Sequence, residues 1–225
     1  REDNMGTHIK LTASDGHTFD AYRADPDTPP KAGLVVVQEI FGVNAHIRAV
    51  TDSFAAQGYA AIAPAFFDRT ETDVELGYEE PDLTRGRTLR AELGWDGTIL
   101  DVVAATDALK PAGKVGVVGY CWGGSVAWLA ACRLNLAAAV GYYGGQVIDF
   151  KDEKANCPVM LHFGETDAGI PLSDVETVRA AQPDVPIHLY PAGHGFNCDH
   201  RGSYDEASCK LARERTNAFF AQHVG

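Results

Sequence analysis

The sequence predicts an α/β fold, with an open and mostly parallel sheet that carries helices on both faces. Short apolar runs alternate along the chain with longer amphipathic stretches, an order typical of parallel strands joined by helices. The runs also lack a polar residue at every second position, as expected for strands covered on both sides. A chain of 225 residues can bury a full core, and we predict a single domain over residues 1–225.

The elements of the first half follow in order from local patterns. They are a hairpin over residues 8–23, a strand over 34–37, a helix over 46–57, a strand over 59–63 and a helix over 98–109. The hairpin turns at Asp15-Gly16. Asn44 is a candidate cap before the first helix, and Gly58 lies just past its end. Residues 66–94 are rich in charged residues, Gly and Pro, and we expect a loop with short helices at the mouth of a site.

The second half continues the alternation to a terminal helix. Its elements are strands over 115–118, 137–140, 159–163 and 187–190, a small-residue helix from about Ser125, and a helix over 204–223. Active sites of open α/β sheets gather at the carboxyl ends of strands. The residues that follow these strands are therefore the candidates for a functional site.

Charge and apolar content exclude several classes of protein. The formal net charge is -12 and no stretch is rich in Lys and Arg, so neither nucleic acid nor a membrane is an expected partner. No apolar stretch reaches the roughly 18 to 20 residues that span a bilayer. The polar N-terminus lacks the core of a signal peptide, and we expect residues 1–7 to be disordered or partly tag-derived. We expect a monomer or a small homo-oligomer.

The cysteines indicate a reduced, cytoplasmic protein. There are five, an odd number, and their spacing is uneven, unlike that of a disulfide framework. Cys132 and Cys157 are interpreted as small core residues. No C-x-x-C pair exists, and the only metal-like patch, Cys198-Asp199-His200 with Cys209, is interpreted as loop and helix residues. We therefore predict no metal and no organic cofactor.

The run Gly119-Tyr120-Cys121-Trp122-Gly123 lies where a buried strand gives way to a helix. Gly-x-Ser-x-Gly at such a turn is the nucleophile elbow of α/β-hydrolases, which exposes the nucleophile on a strained turn. Here the central residue is cysteine. The sequence therefore predicts the α/β-hydrolase fold and acyl chemistry with Cys121 as nucleophile.

A catalytic acid and a histidine follow Cys121 in the order that α/β-hydrolases use. Asp167 comes after the strand over 159–163, and His194 after the strand over 187–190. A cysteine attacks as thiolate, so an imidazole must take its proton, and a carboxylate can orient the ring. Glu165 and Asp174 are nearby alternatives to Asp167. His162 is on a strand and is expected to be packed in the core.

The loop after the strand over 34–37 supplies the remaining candidates. The amides of Trp122 and Ile40 are expected to form an oxyanion hole. Glu39 follows a Val-rich strand, where a half-buried carboxylate needs a partner. One interpretation is a structural salt bridge. The other places Glu39 beside Cys121, where it holds the thiol proton and responds to an arriving anion, with an arginine keeping it ionised.

These segments together resemble the dienelactone hydrolases (carboxymethylenebutenolidases) over nearly the whole chain. The matching runs are residues 38–44, 119–124, 142–144 and 193–196. The resemblance implies hydrolysis of dienelactone, a small cyclic enol-lactone, to maleylacetate in the breakdown of chlorinated aromatic compounds. It also implies that Cys121, His194 and Asp167 form a triad, that Glu39 activates the thiol on substrate binding, and that arginines bind the substrate carboxylate. Phe41 and Tyr143 are assigned to the substrate site.

The arginines are where the chain departs from the family pattern. Arg85 falls about where the first carboxylate-binding arginine is expected, and Arg87 is close enough to compete. The family tyrosine four residues farther on corresponds to Leu89. The second arginine, expected four residues after the histidine, is Cys198, and Arg201 follows on the same loop. A bidentate guanidinium is a strong carboxylate clamp, so the loss of one puts dienelactone itself in question.

Three functions remain open from the sequence. The first is a cysteine-dependent hydrolase that opens a small anionic enol-lactone through a thioester. The second is a broader carboxylesterase or thioesterase of the same fold, favoured by Leu89 and Cys198. The third is a redox-sensing thiol protein without hydrolytic activity, built on an exposed cysteine of low pKa. The presence of Asp167 and His194 argues against the third.

Overall fold

A computed structural model describes residues 5–225, so the expectation for residues 1–4 lies outside the described residues. The chain forms two compact units, one ending at Gly116 and one running from Val117 to Gly225. In the first unit, the Gly6 amide donates to the Tyr22 hydroxyl (2.7 Å) and the first strand begins at Thr7. The single domain over residues 1–225 stays a prediction.

The described residues of the first unit form four complete strands and three α-helices. Its strands are β1 (Thr7–Thr12), β2 (Thr18–Ala24), β3 (Ala32–Val37) and β4 (Tyr59–Pro64), in the spatial order β1-β2-β4-β3. β1 and β2 form the predicted hairpin, β2 pairs antiparallel with β4, and β3 pairs parallel with β4. The helices are α1 (Ala45–Ala55), α2 (Glu80–Glu92) and α3 (Trp95–Leu109).

The second unit alternates strands and helices as predicted. Its strands are β5 (Val115–Tyr120), which enters the unit at Val117, β6 (Ala138–Tyr142), β7 (Val159–Gly164) and β8 (Ile187–Tyr190), neighbours in that order. The pairs β6–β7 and β7–β8 are parallel. The helices are α4 (Trp122–Arg133), α5 (Leu172–Ala181) and α6 (Glu206–His223).

The inner strands are buried along their whole length. Every residue of β3, β4, β5, β6 and β7 is buried. A strand with one solvated face would expose alternate residues, so these strands are covered on both sides. This confirms the prediction drawn from their uninterrupted apolar runs. Among the described residues, no helix is both long and apolar enough to cross a lipid bilayer.

Helix α2 is the main departure from the predicted elements. The expected loop and short helices over residues 66–94 contain a short 3-10 helix, Phe66–Arg69, and then this helix of 13 residues. A capping box between Glu79 and Asp82 starts α2. Only Gly86 and Leu89 within it are buried, which explains why no apolar periodicity marks it.

Helix α1 matches its predicted start. The Asn44 side chain accepts a hydrogen bond from the Ile47 amide (3.2 Å), as the predicted cap requires. Helix α4, expected from about Ser125, instead begins at Trp122, directly after the elbow cysteine. Cys121, the predicted nucleophile, is therefore at a helix N-terminus.

Candidate active site

The elbow at Cys121 is a strained turn that small residues make possible. Cys121 has φ 57 and ψ -123, which is a costly conformation for a residue with a side chain. A Cβ at Gly119 would lie 1.8 Å from the Gly123 carbonyl oxygen, and one at Gly124 would lie 2.4 Å from the Tyr142 carbonyl oxygen. The turn can therefore close only with glycine at both positions.

Backbone contacts hold Cys121 at the end of β5. The Cys121 amide donates to the Tyr142 carbonyl (3.0 Å), and the Gly124 amide donates to the Cys121 carbonyl (2.9 Å). Trp122 begins α4, so its amide is at a helix N-terminus, where the partial positive charge favours a thiolate or an oxyanion. This placement fits the amide predicted for the oxyanion hole.

Cys121, His194 and Asp167 come together in the second unit as one hydrogen-bonded chain. His194 Nε2 lies 3.1 Å from Cys121 Sγ, and His194 Nδ1 lies 2.7 Å from Asp167 Oδ2. The other carboxylate oxygen of Asp167 accepts the Gly169 amide (2.8 Å). The Asp167 side chain is fully buried, whereas that of His194 is 29% exposed. Of the acids considered for this contact, Glu165 is exposed and Asp174 is on α5.

Charge around His194 favours its protonated form. Burial alone would lower the pKa of His194, but the neighbouring Cys121 sulfur and the Asp167 carboxylate raise that pKa to about 10. A histidine with such a pKa is protonated at neutral pH. A protonated imidazole beside a sulfur is the arrangement that a cysteine nucleophile needs.

The loop that carries His194 is held from several sides. Ser203 Oγ donates to the His194 carbonyl (2.6 Å). The Arg201 guanidinium packs so closely on Gly195 that a Cβ there would lie 2.5 Å from Arg201 Nη1. The Tyr143 ring lies 5.1 Å from the His194 ring, centroid to centroid. Tyr143 is fully buried, and its contact with the candidate site is this packing against the His194 ring.

The other four cysteines differ from Cys121. All five cysteines are free thiols and lie within the described residues. Burial raises the pKa of Cys132 to about 12, helped by the charge of Glu153, and burial raises that of Cys157 to about 11. Cys198 and Cys209 are buried. Asp199 and His200 of the metal-like patch are exposed, whereas its two cysteines are buried.

The loop after β3 belongs to the first unit. Glu39 is 1% exposed and Ile40 is 8% exposed. Gln38 ties this loop down: its Nε2 donates to the Glu39 carbonyl (3.0 Å), and its Oε1 accepts the Phe66 amide (3.2 Å). On α2, a Cβ at Gly86 would lie 2.1 Å from the Ile40 carbonyl oxygen, so the helix backbone packs directly on this loop.

Phe41 lies in the same loop of the first unit. Its ring packs edge-on against Tyr78 with centroids 4.7 Å apart, and it is almost fully buried. The Phe41 carbonyl accepts the Leu76 amide (2.9 Å). Gly42, the next residue, has φ 79, and a Cβ there would lie 1.9 Å from the Val74 carbonyl oxygen. The loop is therefore fixed by close packing against residues 74–78.

Arg85 lies on the exposed side of α2 in the first unit. Its Nη2 lies 2.5 and 2.6 Å from the two carboxylate oxygens of Glu71. Arg87 is exposed on the same helix, whereas Leu89, at the position of the family tyrosine, is buried. The guanidinium expected to bind substrate is thus already engaged by a carboxylate of the chain.

Comparison with known proteins shows which family the chain resembles. The sequence model of the Dienelactone hydrolase family matches residues 19–224. A carboxymethylenebutenolidase of Pseudomonas putida is 34% identical over 230 residues, covering 95% of each chain. A Salmonella typhimurium protein assigned the same activity without direct proof is 37% identical over 237 residues, covering 96% of this chain and 87% of its own.

Solved structures give the same answer for the fold. The crystal structure of a proposed dienelactone hydrolase from Klebsiella pneumoniae superposes with a TM-score of 0.84 at 33% identity. The match covers 96% of this chain and 100% of that one. The overall fold of the chain is therefore a known one.

Proposed function

Since the chain belongs to the dienelactone hydrolase family and has its α/β-hydrolase fold, we propose that Cys121, His194 and Asp167 are its catalytic triad. The protein is a carboxylic ester (lactone) hydrolase. The observation that carries the proposal is the hydrogen-bonded chain from Cys121 Sγ through His194 to Asp167, with distances of 3.1 and 2.7 Å. In papain-like proteases a cysteine and a histidine work in the same way.

The proposed reaction has two halves that share one proton carrier. The Cys121 thiolate attacks the carbonyl carbon, a C–S bond forms, and the negative charge moves to the carbonyl oxygen, where the amides of Trp122 and Ile40 receive it. The C–O bond of the ring then breaks, and the leaving enolate takes the proton of His194. Water attacks the thioester as His194 accepts its proton, and Cys121 leaves as thiolate. Asp167 keeps the ring oriented and stabilises the imidazolium.

Glu39 is proposed to manage the thiol proton before substrate arrives. In this proposal the Glu39 carboxylate, which is only 1% exposed, shares the thiol proton with Cys121. An arriving substrate anion would then shift that balance toward the thiolate. The alternative interpretation, in which Glu39 forms a structural salt bridge, predicts that Glu39→Gln changes stability and leaves the reactivity of Cys121 toward iodoacetamide unchanged.

The proposed substrate is a small anionic enol-lactone of the dienelactone type, in the breakdown of aromatic compounds. Arg85 is the first candidate for its carboxylate, with Arg87 and Arg201 as alternatives and Phe41 and Tyr143 as further contacts. An enol-lactone suits the triad because its enolate is a good leaving group. The proposal includes a cytoplasmic location and needs no cofactor.

A broader carboxylesterase or thioesterase is the second candidate. The pairing of Arg85 with Glu71 favours it, because a neutral ester has no carboxylate to compete for that guanidinium. Turnover of dienelactone and of p-nitrophenyl acetate by the same preparation separates the two candidates. Dienelactone should have the higher kcat/KM under the first proposal, and p-nitrophenyl acetate under the second.

Trapping the intermediate tests the chemistry common to both candidates. Mixing with a slowly deacylating ester and quenching in acid should add one acyl group at Cys121, seen by mass spectrometry. Turnover with no adduct on Cys121, or with an adduct elsewhere, would contradict the triad.

A further inference from the structure

A chain of buried polar side chains runs through the second unit behind the triad. Tyr142, His162 and Tyr190 come from the neighbouring strands β6, β7 and β8, and Thr216 comes from α6; each is no more than 1% exposed. Arg215, also on α6, completes the set at its half-buried end. We call these five residues the His162 network. Such buried polar groups are conformationally demanding, since each needs a partner.

The donors and acceptors of the His162 network point in one direction. Arg215 can only donate, so the Tyr190 oxygen accepts from its Nη1 (3.1 Å) and gives its own proton to His162 Nδ1 (2.8 Å). Neutral His162 then carries its hydrogen on Nε2, which donates to Thr216 Oγ1 (3.1 Å). Thr216 and the Tyr142 hydroxyl share the last bond (2.6 Å).

Electrostatics keep His162 in the form that this direction requires. Burial, followed by the charges of His188 and Arg215, holds the pKa of His162 well below its usual value. The neutral ring accepts on one nitrogen and donates on the other. Each bond of the network therefore depends on the next.

The network ends at a corner that touches two members of the triad. The corner is Tyr142 and Tyr143, at the end of β6. The Tyr142 carbonyl accepts the Cys121 amide (3.0 Å), and the Tyr143 amide donates to the His162 carbonyl (2.7 Å). Tyr143 has φ 38, an unfavourable backbone conformation, and its ring contacts that of His194. Cys121 and His194 are thus both in contact with this corner.

We propose that His162 and its network are positioning residues. They fix the Tyr142–Tyr143 corner and so keep Cys121 and His194 at the distance and orientation that proton transfer between them needs. This inference rests on the proposed function for the reaction it serves. None of the network side chains needs to touch the substrate. Their effect should therefore appear in kcat and hardly in KM, since a small displacement of reacting groups lowers the rate of the chemical step.

Two substitutions at Thr216 separate positioning from stability. Thr216→Val keeps the shape and removes the hydroxyl, so it leaves His162 Nε2–H without its acceptor. Thr216→Ser keeps the hydroxyl and removes a methyl group, which weakens packing. We expect Thr216→Val to lower kcat per titrated Cys121 by about tenfold with KM within about twofold. Thr216→Ser should keep most of kcat although its melting temperature falls.

One control variant and one replacement variant support the comparison of the two Thr216 substitutions. Thr51→Val removes an equally buried threonine hydroxyl, one that donates to the Ile47 carbonyl (2.7 Å) in the first unit, and should leave kcat unchanged. If Thr216→Val does not fold, Tyr190→Phe breaks the same network while keeping the ring. Wild-type kcat in a folded Thr216→Val or Tyr190→Phe enzyme would overturn the inference. So would losses that follow melting temperature in both Thr216 variants.

The rate at which iodoacetamide alkylates Cys121 tests the inference independently of hydrolysis. Thr216→Val should slow this reaction at neutral pH, while Thr51→Val and Thr216→Ser should not. If the wild-type protein hydrolysed no lactone or ester, the proposed function would fail, yet this rate would still decide the inference. If the wild type is active and both kcat and the alkylation rate are unchanged in Thr216→Val, only the inference fails.

Discussion

The second unit and the first unit hold their candidate functional residues in opposite ways. Cys121, Asp167 and His194 follow strands β5, β7 and β8, and backbone or side-chain hydrogen bonds fix each of these residues. Arg85 of the first unit is on an exposed helix face and is held by Glu71 alone among the contacts seen. The contrast suggests that the chemistry is built into the core, whereas substrate choice is left to side chains that exchange partners easily.

The largest expected effect is the removal of the nucleophile. Cys121→Ala should lower kcat by about 10⁴-fold or more, since members of a triad act as a unit. The fold should survive, because the change removes one sulfur from a turn that glycines and backbone bonds define. Steady-state kinetics and a melting curve measure both expectations. Turnover near that of the wild type would show that Cys121 is not the nucleophile.

Loss of the orienting carboxylate should come next. Asp167→Asn should lower kcat by roughly 10² to 10⁴-fold, because the amide no longer favours the imidazolium or the correct tautomer. Glu165→Gln is the matched control. Glu165 is an exposed carboxylate two residues away from Asp167, and among the described residues no hydrogen bond joins it to His194. Equal losses in both variants would mean that the loop, and not the Asp167 contact, matters.

The charge on His194 predicts how stability depends on pH. Its folded pKa of about 10 exceeds the ordinary 6.5. The stability it contributes is therefore fully present below pH 6.5 and is lost as pH rises through about 10. The difference in free energy of unfolding between the wild type and His194→Gln should shrink over that range. In Cys121→Ala this contribution to stability should be lost at a lower pH, because the sulfur that helps to raise the pKa of His194 is gone.

Arg85 should give the smallest effect and one limited to anionic substrates. Arg85→Ala should raise KM for a carboxylate-bearing lactone by about tenfold or less and leave kcat unchanged. The free energy of unfolding should change by less than about 1 kcal/mol, because the ion pair with Glu71 is exposed. Glu71→Gln should act in the opposite direction, since it releases the guanidinium. If KM for neutral esters rises equally, Arg85 has another role.

Sequence patterns predicted the buried part of the molecule better than the exposed part. Cys121, Asp167 and His194 were recognisable as candidates because a strained elbow needs glycines at fixed spacing and because the acid and the histidine follow successive strands. The sequence favoured Asp167 with Glu165 nearby as an alternative, and Asp167 is the acid that contacts His194. Helix α2 escaped prediction because only Gly86 and Leu89 are buried in it. The ion pair between Arg85 and Glu71 depends on how that helix packs, which no local pattern reports.

The His162 network shows a second limit of sequence patterns. A histidine on an apolar strand indicated packing, and the structure confirms its burial. Its partners are 28 and 54 residues away, and they depend on the register of two strand pairs and on one face of α6. Local periodicity does not encode such register. Tyr190 and Thr216 therefore gave no signal of their own.

The different surroundings of the five thiols have a practical consequence for following this enzyme in a mixture. Four of them are buried or have a pKa well above neutrality, or both, so a mild electrophile at neutral pH should find one partner, Cys121. A fluorescent ester or chloroacetamide could then report the number of working molecules in a crude extract. The same selectivity would let unknown substrates be sought by competition, with protection of a single sulfur as the readout.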